Sequence, residues 1–212
     1  MNRKKSFEKA HERSKKYFLR WPDEFVGAYF ARNDWNAVLD FGCGNGRHTQ
    51  MLCELAKEKN KKMGGGGATI YALDLDENVL KIVKDRAPDA ITILGDKIKE
   101  IPKNSLDIIL AWGCLYMNDL DTQKKILLQF HKLLRNDGTI CASYRAPSDS
   151  LNKNGSGINV WGVEIDFYDI EMLKQLFIVS GFNLEYVTLR TIENLKTNEK
   201  TAFYNLVLKK IV

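Results

Sequence analysis

The stretch Val38-Leu39-Asp40-Phe41-Gly42-Cys43-Gly44-Asn45-Gly46-Arg47-His48-Thr49 constrains the fold more than any other part of the chain. A short apolar run ends on an acid, gives way to three glycines at alternate positions, and resumes as a helical pattern through Met51, Leu52 and Leu55. That is the order strand, tight turn, helix. Alternating glycines cost chain entropy that a bare connection does not require. They permit positive φ and leave no Cβ between the backbone and a ligand. The helix that follows points its unpaired N–H groups and the positive end of its dipole into the turn. The turn is therefore a candidate site for an extended ligand that contains a nucleoside.

Glycine spacing narrows the choice of ligand. The dinucleotide fingerprint is G-x-G-x-x-G. Gly42 and Gly44 satisfy its first half, but its third glycine position falls on Arg47. The chain instead reads D-x-G-x-G-x-G from Asp40 to Gly46. This wording, D-F-G-C-G-N-G-R-H-T, resembles the first motif of the class I S-adenosylmethionine-dependent methyltransferases. The resemblance implies that Asp40, Phe41, Gly42, Cys43, Gly44 and Gly46 surround the methionine part of S-adenosyl-L-methionine, with Asp40 facing its amino group.

Later segments continue the pattern. Thr69–Asp74 is a predicted strand ending in an acid, and an acid there accepts hydrogen bonds from ribose hydroxyls in nicotinamide and S-adenosylmethionine folds alike. The resemblance places Leu75 beside the adenine, while Asp76 is expected to cap a helix over Glu77–Arg86. Ile91–Asp96 is a third strand. By resemblance, Asp96 approaches the exocyclic amine of the adenine, with Lys97 and Ile98 following it. Leu106–Ala111 is a fourth strand, and Ala111, Trp112 and Gly113 complete the implied cofactor contacts. The helix over Thr122–Leu134, the Asn136-Asp137-Gly138 turn and the strand Gly138–Tyr144 resemble the family's L-L-x-x-G-G passage. A helix over Asp169–Ser180 and closing strands Asn183–Thr191 and Thr201–Lys209 follow. The expected fold is α/β, a doubly wound, mostly parallel seven-stranded Rossmann-like sheet in the order 3-2-1-4-5-7-6 with the last strand antiparallel.

Two segments precede the first strand. Phe7, Ala10, Ser14, Tyr17, Phe18 and Trp21 recur at helical spacing up to Pro22, and Phe25, Val26, Tyr29 and Phe30 form a second apolar set. Residues 1–34 are read as a helical cap and 35–212 as the cofactor-binding domain. Four glycines at 64–67 mark a surface linker.

The substrate side is less determined. The rim loop after the fourth strand lacks the N/D-P-P-Y/F signature of base- and glutamine-methylating relatives. It also carries Trp112 where the metal-dependent catechol-type branch has an acid. Both absences favour a small-molecule acceptor and no metal. Tyr17, Trp21, Tyr116, Arg145 and Trp161 are candidate acceptor contacts, Arg145 for an anionic group and Trp161 for an apolar wall. The residues 145–162 are read as one long loop over the site. If a base is needed, the candidates on the correct rim are His48, Tyr116 and Asp119, with packing or capping as the alternative role for His48 and a core plug for Tyr116.

Charge excludes little on its own. The chain of 212 residues carries a net +5. Residues 1–20 contribute eight lysines and arginines against Glu8 and Glu12, so the remainder is close to neutral. A nucleic-acid grip usually spreads positive charge over a face of the body, so an RNA-directed or non-catalytic member of the fold is the lesser alternative. A nicotinamide oxidoreductase is the other, weakened by Arg47 and by the lack of a Tyr-x-x-x-Lys pair. Four scattered cysteines without C-x-x-C spacing, no long apolar run and no leader point to a cytoplasmic, reduced setting.

Overall fold

In the computed structural model, which describes residues 21–63, 67–159 and 162–212, strands and helices alternate as the glycine turn demands. Their order is α1 (Glu24–Arg32), β1 (Ala37–Phe41), α2 (Arg47–Met63), β2 (Thr69–Asp74), α3 (Glu77–Arg86), β3 (Ile91–Leu94) and β4 (Leu106–Ala111). There follow α4 (Leu120–Leu133), β5 (Leu134–Arg145), β6 (Ser156–Ile158), β7 (Glu164–Asp166), α5 (Ile170–Val179), β8 (Phe182–Asn194) and β9 (Glu199–Lys210). Seven strands form one sheet in the order β3-β2-β1-β4-β5-β9-β8. With the small β6-β7 pair set aside, this is the expected order. Strand β1 runs parallel to β2 and β4, and β2 parallel to β3, whereas β8 and β9 pair antiparallel. No described helix is long and apolar enough to cross a membrane.

The chain divides into two units. One contains the described residues through Leu110 together with Leu133–Thr139; the other contains Ala111–Lys132 and Ile140–Val212. In the first, β1 and β4 are buried along most of their length, which is why both read as nearly continuous apolar runs. Asp107 interrupts β4 and is itself buried. Its Oδ2 accepts from the backbone N–H groups of Asn36 at 2.6 Å and Ala37 at 2.9 Å, and its Oδ1 lies 2.5 Å from Arg135 Nε. The carboxylate thus fixes where β1 begins. Trp35, buried ahead of β1, donates its indole N–H to Phe30 O at 3.1 Å and meets Phe30 edge-on, which anchors α1.

In the second unit, Tyr144, Phe177 and Phe182 are among the largest fully buried side chains, and Tyr144 meets Phe177 edge-on at 5.7 Å. Helix α5 is capped by Asp169, whose side chain accepts from Met172 N–H. The β8-β9 register slips between Leu184 and Tyr186, a bulge on the outermost strand.

The structure corrects three expectations. Strand β3 ends at Leu94, because Gly95–Glu100 wind into a 3-10 turn. Asn136-Asp137-Gly138 is no free turn: β5 starts at Leu134, directly after α4, with Arg135 held by Asp107. The region 145–162 is not one loop, since β6 pairs with β7 across an Asn159 whose Oδ1 accepts Val163 N–H. Three-residue strands beside asparagines and glycines are too short to show alternation. The cap residues 1–20, with Tyr17, and the glycines 64–66 lie outside the described residues, as does Trp161.

The Asp107 tie predicts a loss measurable by urea unfolding. Asp107→Ala strands two backbone N–H groups and is expected to lower the unfolding free energy by about 3 kcal/mol, whereas Asp107→Asn retains an acceptor and loses less.

Candidate functional site

The turn between β1 and α2 is pinned to the end of β2. Cys43 N–H donates to Leu73 O at 2.9 Å, and Gly44 N–H donates to Asp74 Oδ2 at 3.0 Å. The other oxygen of Asp74 accepts Asp76 N–H at 3.1 Å, so one buried carboxylate fixes both the turn and the exit of β2. Gly42, Gly44 and Gly46 all have positive φ (69°, 52° and 74°), a conformation that side chains disfavour. Two of these glycines differ in what surrounds them. A Cβ on Gly46 would come within 3.1 Å of Val83 Cγ2, so this glycine admits α3. Among the described residues, a Cβ on Gly44 would meet nothing within 4 Å. The backbone there borders open space.

Asp40, at the end of β1, is almost wholly buried and accepts Thr49 Oγ1–H at 2.6 Å. Burial pushes its carboxyl up to about 6, the Thr49 hydroxyl and Arg47 pull it down, and the charge of Asp74 adds to the rise. Two carboxylates at the mouth of one turn make a place that favours a cation. Leu75 is 58% exposed directly after β2, and a Cβ on Gly95 would collide with it. Asp96 and Lys97 are exposed on the 3-10 turn and Ile98 is half-buried. The ends of β1, β2 and β3 thus gather Asp40, Gly44, Asp74, Leu75 and Gly95 within the first unit.

His48 is buried, and its Nε2 accepts Asp23 N–H at 3.1 Å. Burial, then the nearby Arg47 and Arg86 charges, push its imidazole down to about 3. It is a neutral acceptor that holds the residue capping α1, which removes it as a free base. Trp21 is 80% exposed and borders a cavity of about 700 Å³ shared with Arg47, Met51, Ile82 and Arg86, on helices α2 and α3. Arg47 also donates to Trp21 O at 2.9 Å.

The second unit holds the remaining candidates. Ala111 is buried at the end of β4, Trp112 is half-buried, and Gly113 N–H donates to Ser143 Oγ at 2.9 Å. Tyr116 is buried with its ring 6.5 Å from Tyr144, and burial pushes its phenol up to about 12 although Arg145 pulls the other way. Asp119 is exposed and accepts Thr122 N–H at 2.8 Å, the bond of a helix cap. Arg145 is buried over the ring of Phe203 and ion-paired with Asp149, which also accepts Ala202 N–H at 2.8 Å. An incoming anion would have to compete with Asp149.

Sequence reasoning passed over a polar cluster in this unit. Gln123, wholly buried on α4, donates to Asn118 O at 2.8 Å and to Tyr168 Oη at 3.0 Å, and Tyr168 donates to Asp166 at 3.2 Å. Among the described residues, the hydroxyl of Tyr144 and Oε1 of Gln123 are buried without a hydrogen-bond partner. The available signal was a glutamine on the apolar face of α4, three residues before Ile126 and four before Leu127.

Residues 38–138 match the family model described as a methyltransferase domain. No curated protein matches the chain significantly in sequence. Among solved structures, the chain is similar to a SAM-dependent methyltransferase from Methanosarcina mazei, with 13% identity and TM-score 0.70 over 91% of this chain and 99% of that one. It is also similar to the 1,6-didemethyltoxoflavin-N1-methyltransferase of Burkholderia thailandensis, solved with 1,6-didemethyltoxoflavin and S-adenosylhomocysteine bound. Identity there is 18% and the TM-score 0.71 over 99% of this chain and 87% of that one. The CcbJ methyltransferase of Streptomyces caelestis gives 13% identity and a TM-score of 0.66 over 91% of both chains. At these identities the likeness is one of fold.

Two pH effects of opposite sign follow. Asp40 binds its proton more tightly folded than unfolded, so its contribution to stability is full below pH 3.8 and gone once pH passes about 6. The ligand-free Asp40→Asn variant is expected to melt above the wild type at pH 7.5, by up to about 3 kcal/mol of stability, and near it at pH 4. The depressed imidazole of His48 does the reverse: its contribution is present above pH 6.5 and lost as pH falls towards about 3. In thermal unfolding from pH 7 to 4, the advantage of wild type over His48→Gln should shrink.

Proposed function

We propose that the chain is a class I S-adenosylmethionine-dependent methyltransferase that methylates a small-molecule acceptor by in-line transfer. The observation that carries this reading is the open space against Gly44, flanked by the buried carboxylates of Asp40 and Asp74. A side-chain-free backbone there fits an amino-acid tail, and Asp40 fits its ammonium, whose charge would offset the cost of burying that carboxylate. Asp74, already oriented by two amides, suits a ribose, and the exposed face of Leu75 suits a flat base. Bound S-adenosylmethionine supplies an electrophilic methyl on a sulfonium. The protein's own residues then need only align the acceptor, and such positioning contributes roughly 7–11 kcal/mol in favourable cases.

On this reading no described side chain is a committed base. His48 is engaged as an acceptor, Asp119 caps α4, and Tyr116 holds its proton too firmly to take one at neutral pH. Tyr116 can still donate a hydrogen bond. The 1,6-didemethyltoxoflavin-N1-methyltransferase among the similar folds, solved with 1,6-didemethyltoxoflavin bound, supports the small-molecule class. Residues 1–34 complete the proposal as a cap, and Trp112, where the metal-dependent branch has an acid, goes with transfer that uses no metal.

The experiment pairs binding with turnover. S-adenosylmethionine and S-adenosylhomocysteine should raise the melting temperature and NADH should not; stabilisation by NADH alone sinks the reading. Gly44→Ala puts its methyl into open space, at a folding cost of about 1 kcal/mol. It is expected to weaken S-adenosylhomocysteine binding at least tenfold in calorimetry while remaining folded. Methyl-labelled cofactor with a panel of small heterocyclic and hydroxylated acceptors then identifies the substrate, and transfer only to RNA would overturn the acceptor class.

A further inference from the structure

Asp40 and Thr49 stand on either side of the glycine turn, one near the end of β1 and the other in the first turn of α2. Thr49 Oγ1–H donates to Asp40 Oδ2 at 2.6 Å, and both residues are buried, Thr49 completely. The bond spans three glycines whose backbone is otherwise permissive. Within the turn, Gly46 N–H reaches Cys43 O at 3.0 Å and Cys43 N–H reaches Leu73 O at 2.9 Å. Those bonds fix the path of the backbone. The Thr49 bond fixes the direction of the Asp40 side chain.

Packing alone does not call for a hydroxyl here. Thr49 shares its face of α2 with Leu52 and Cys53, both buried, and valine has the same shape without the polar atom. Burying a hydroxyl costs free energy unless it is bonded, and the bond it makes is to the carboxylate. Asp40 is also faced by the charges of Arg47 from α2 and Asp74 from β2. Burial pushes its carboxyl up; among the influences that pull it down, the Thr49 hydroxyl comes before Arg47, and Thr49 N–H acts in the same direction. The hydroxyl thus favours the ionised carboxylate, the form that an ammonium group requires. We propose that Thr49 is a positioning residue for the cofactor: by holding Oδ2 of Asp40, its hydroxyl turns the carboxylate towards the ammonium of the bound amino-acid tail. The inference rests on the reading of the turn as the seat of S-adenosylmethionine, and extends it to a residue that acts through another.

Calorimetric titration of S-adenosylhomocysteine into the full chain between pH 5.5 and 8 tests it. The wild type should bind more tightly as pH rises through about 6, where Asp40 loses its proton. His48, pushed down to about 3, does not titrate in this window. Thr49→Val removes a hydrogen bond to an ionised group and is expected to bind about tenfold more weakly at pH 6. The deficit should narrow towards pH 8, where the carboxyl ionises without help. Thr49→Ser keeps the hydroxyl and should stay within about threefold of wild type. In an Asp40→Asn background, Thr49→Val should cost no more than about twofold, because its effect runs through the carboxylate. A Thr49→Val variant that binds like wild type, or a deficit equal at every pH and not restored by serine, overturns the proposal, while wild-type binding leaves the cofactor reading standing. A wild type that does not bind S-adenosylhomocysteine overturns both. If Thr49→Val does not fold, Thr49→Ala takes its place and is judged by the same outcomes.

Discussion

The carboxylate of Asp74 is the constraint from which the candidate site follows. By accepting Gly44 N–H with one oxygen and Asp76 N–H with the other, it locks the glycine turn to the end of β2 and sets the entry to α3. Asp76 in turn caps that helix through Asn78 N–H. A carboxylate buried this deeply persists because backbone donors meet it. Among the described residues, the same arrangement leaves the Gly44 side of the turn uncovered, where a Cβ would touch nothing. Fold and binding surface therefore come from one set of hydrogen bonds.

Asp40 shows the opposite economy. It is almost wholly buried and its carboxyl is pushed up to about 6, so the ligand-free protein carries an electrostatic cost at neutral pH. Strain of this kind tends to gather where a ligand's charge relieves it. His48, two residues past the last glycine of the turn, has no such tension: it remains neutral because burial and two guanidinium groups disfavour its cation.

Much of this was legible in the sequence, for identifiable reasons. Strands β1, β2 and β4 begin and end where the apolar runs do, because buried parallel strands read as nearly continuous apolar runs, broken here by carboxylates that find partners, such as Asp40 and Asp107. The cap at Asp76 and the glycine turn are local chemistry, and local chemistry can be read from neighbours. What depends on partners distant in sequence was not legible. Nothing near Asp107 announces that it will bind the amides of Asn36 and Ala37, 70 or 71 residues away. The pairing of Arg145 with Asp149 changes a plausible anion ligand into an internal ion pair, and only the third dimension shows it. The β6-β7 pair is too short for any periodicity, and the cluster of Gln123, Tyr168 and Asp166 joins α4 to β7 and to the segment between β7 and α5.

The two bonds that tie residues 21–23 to the first turn of α2 carry a thermodynamic consequence. Asp23 N–H reaches His48 Nε2, and Arg47 reaches Trp21 O, so the segment entering α1 shares donors and acceptors with the helix that springs from the glycine turn. Linkage between coupled sites is reciprocal. To the extent that a ligand seated on the turn steadies α2, it also steadies the chain at Trp21, and whatever displaces Trp21 weakens that ligand by the same factor.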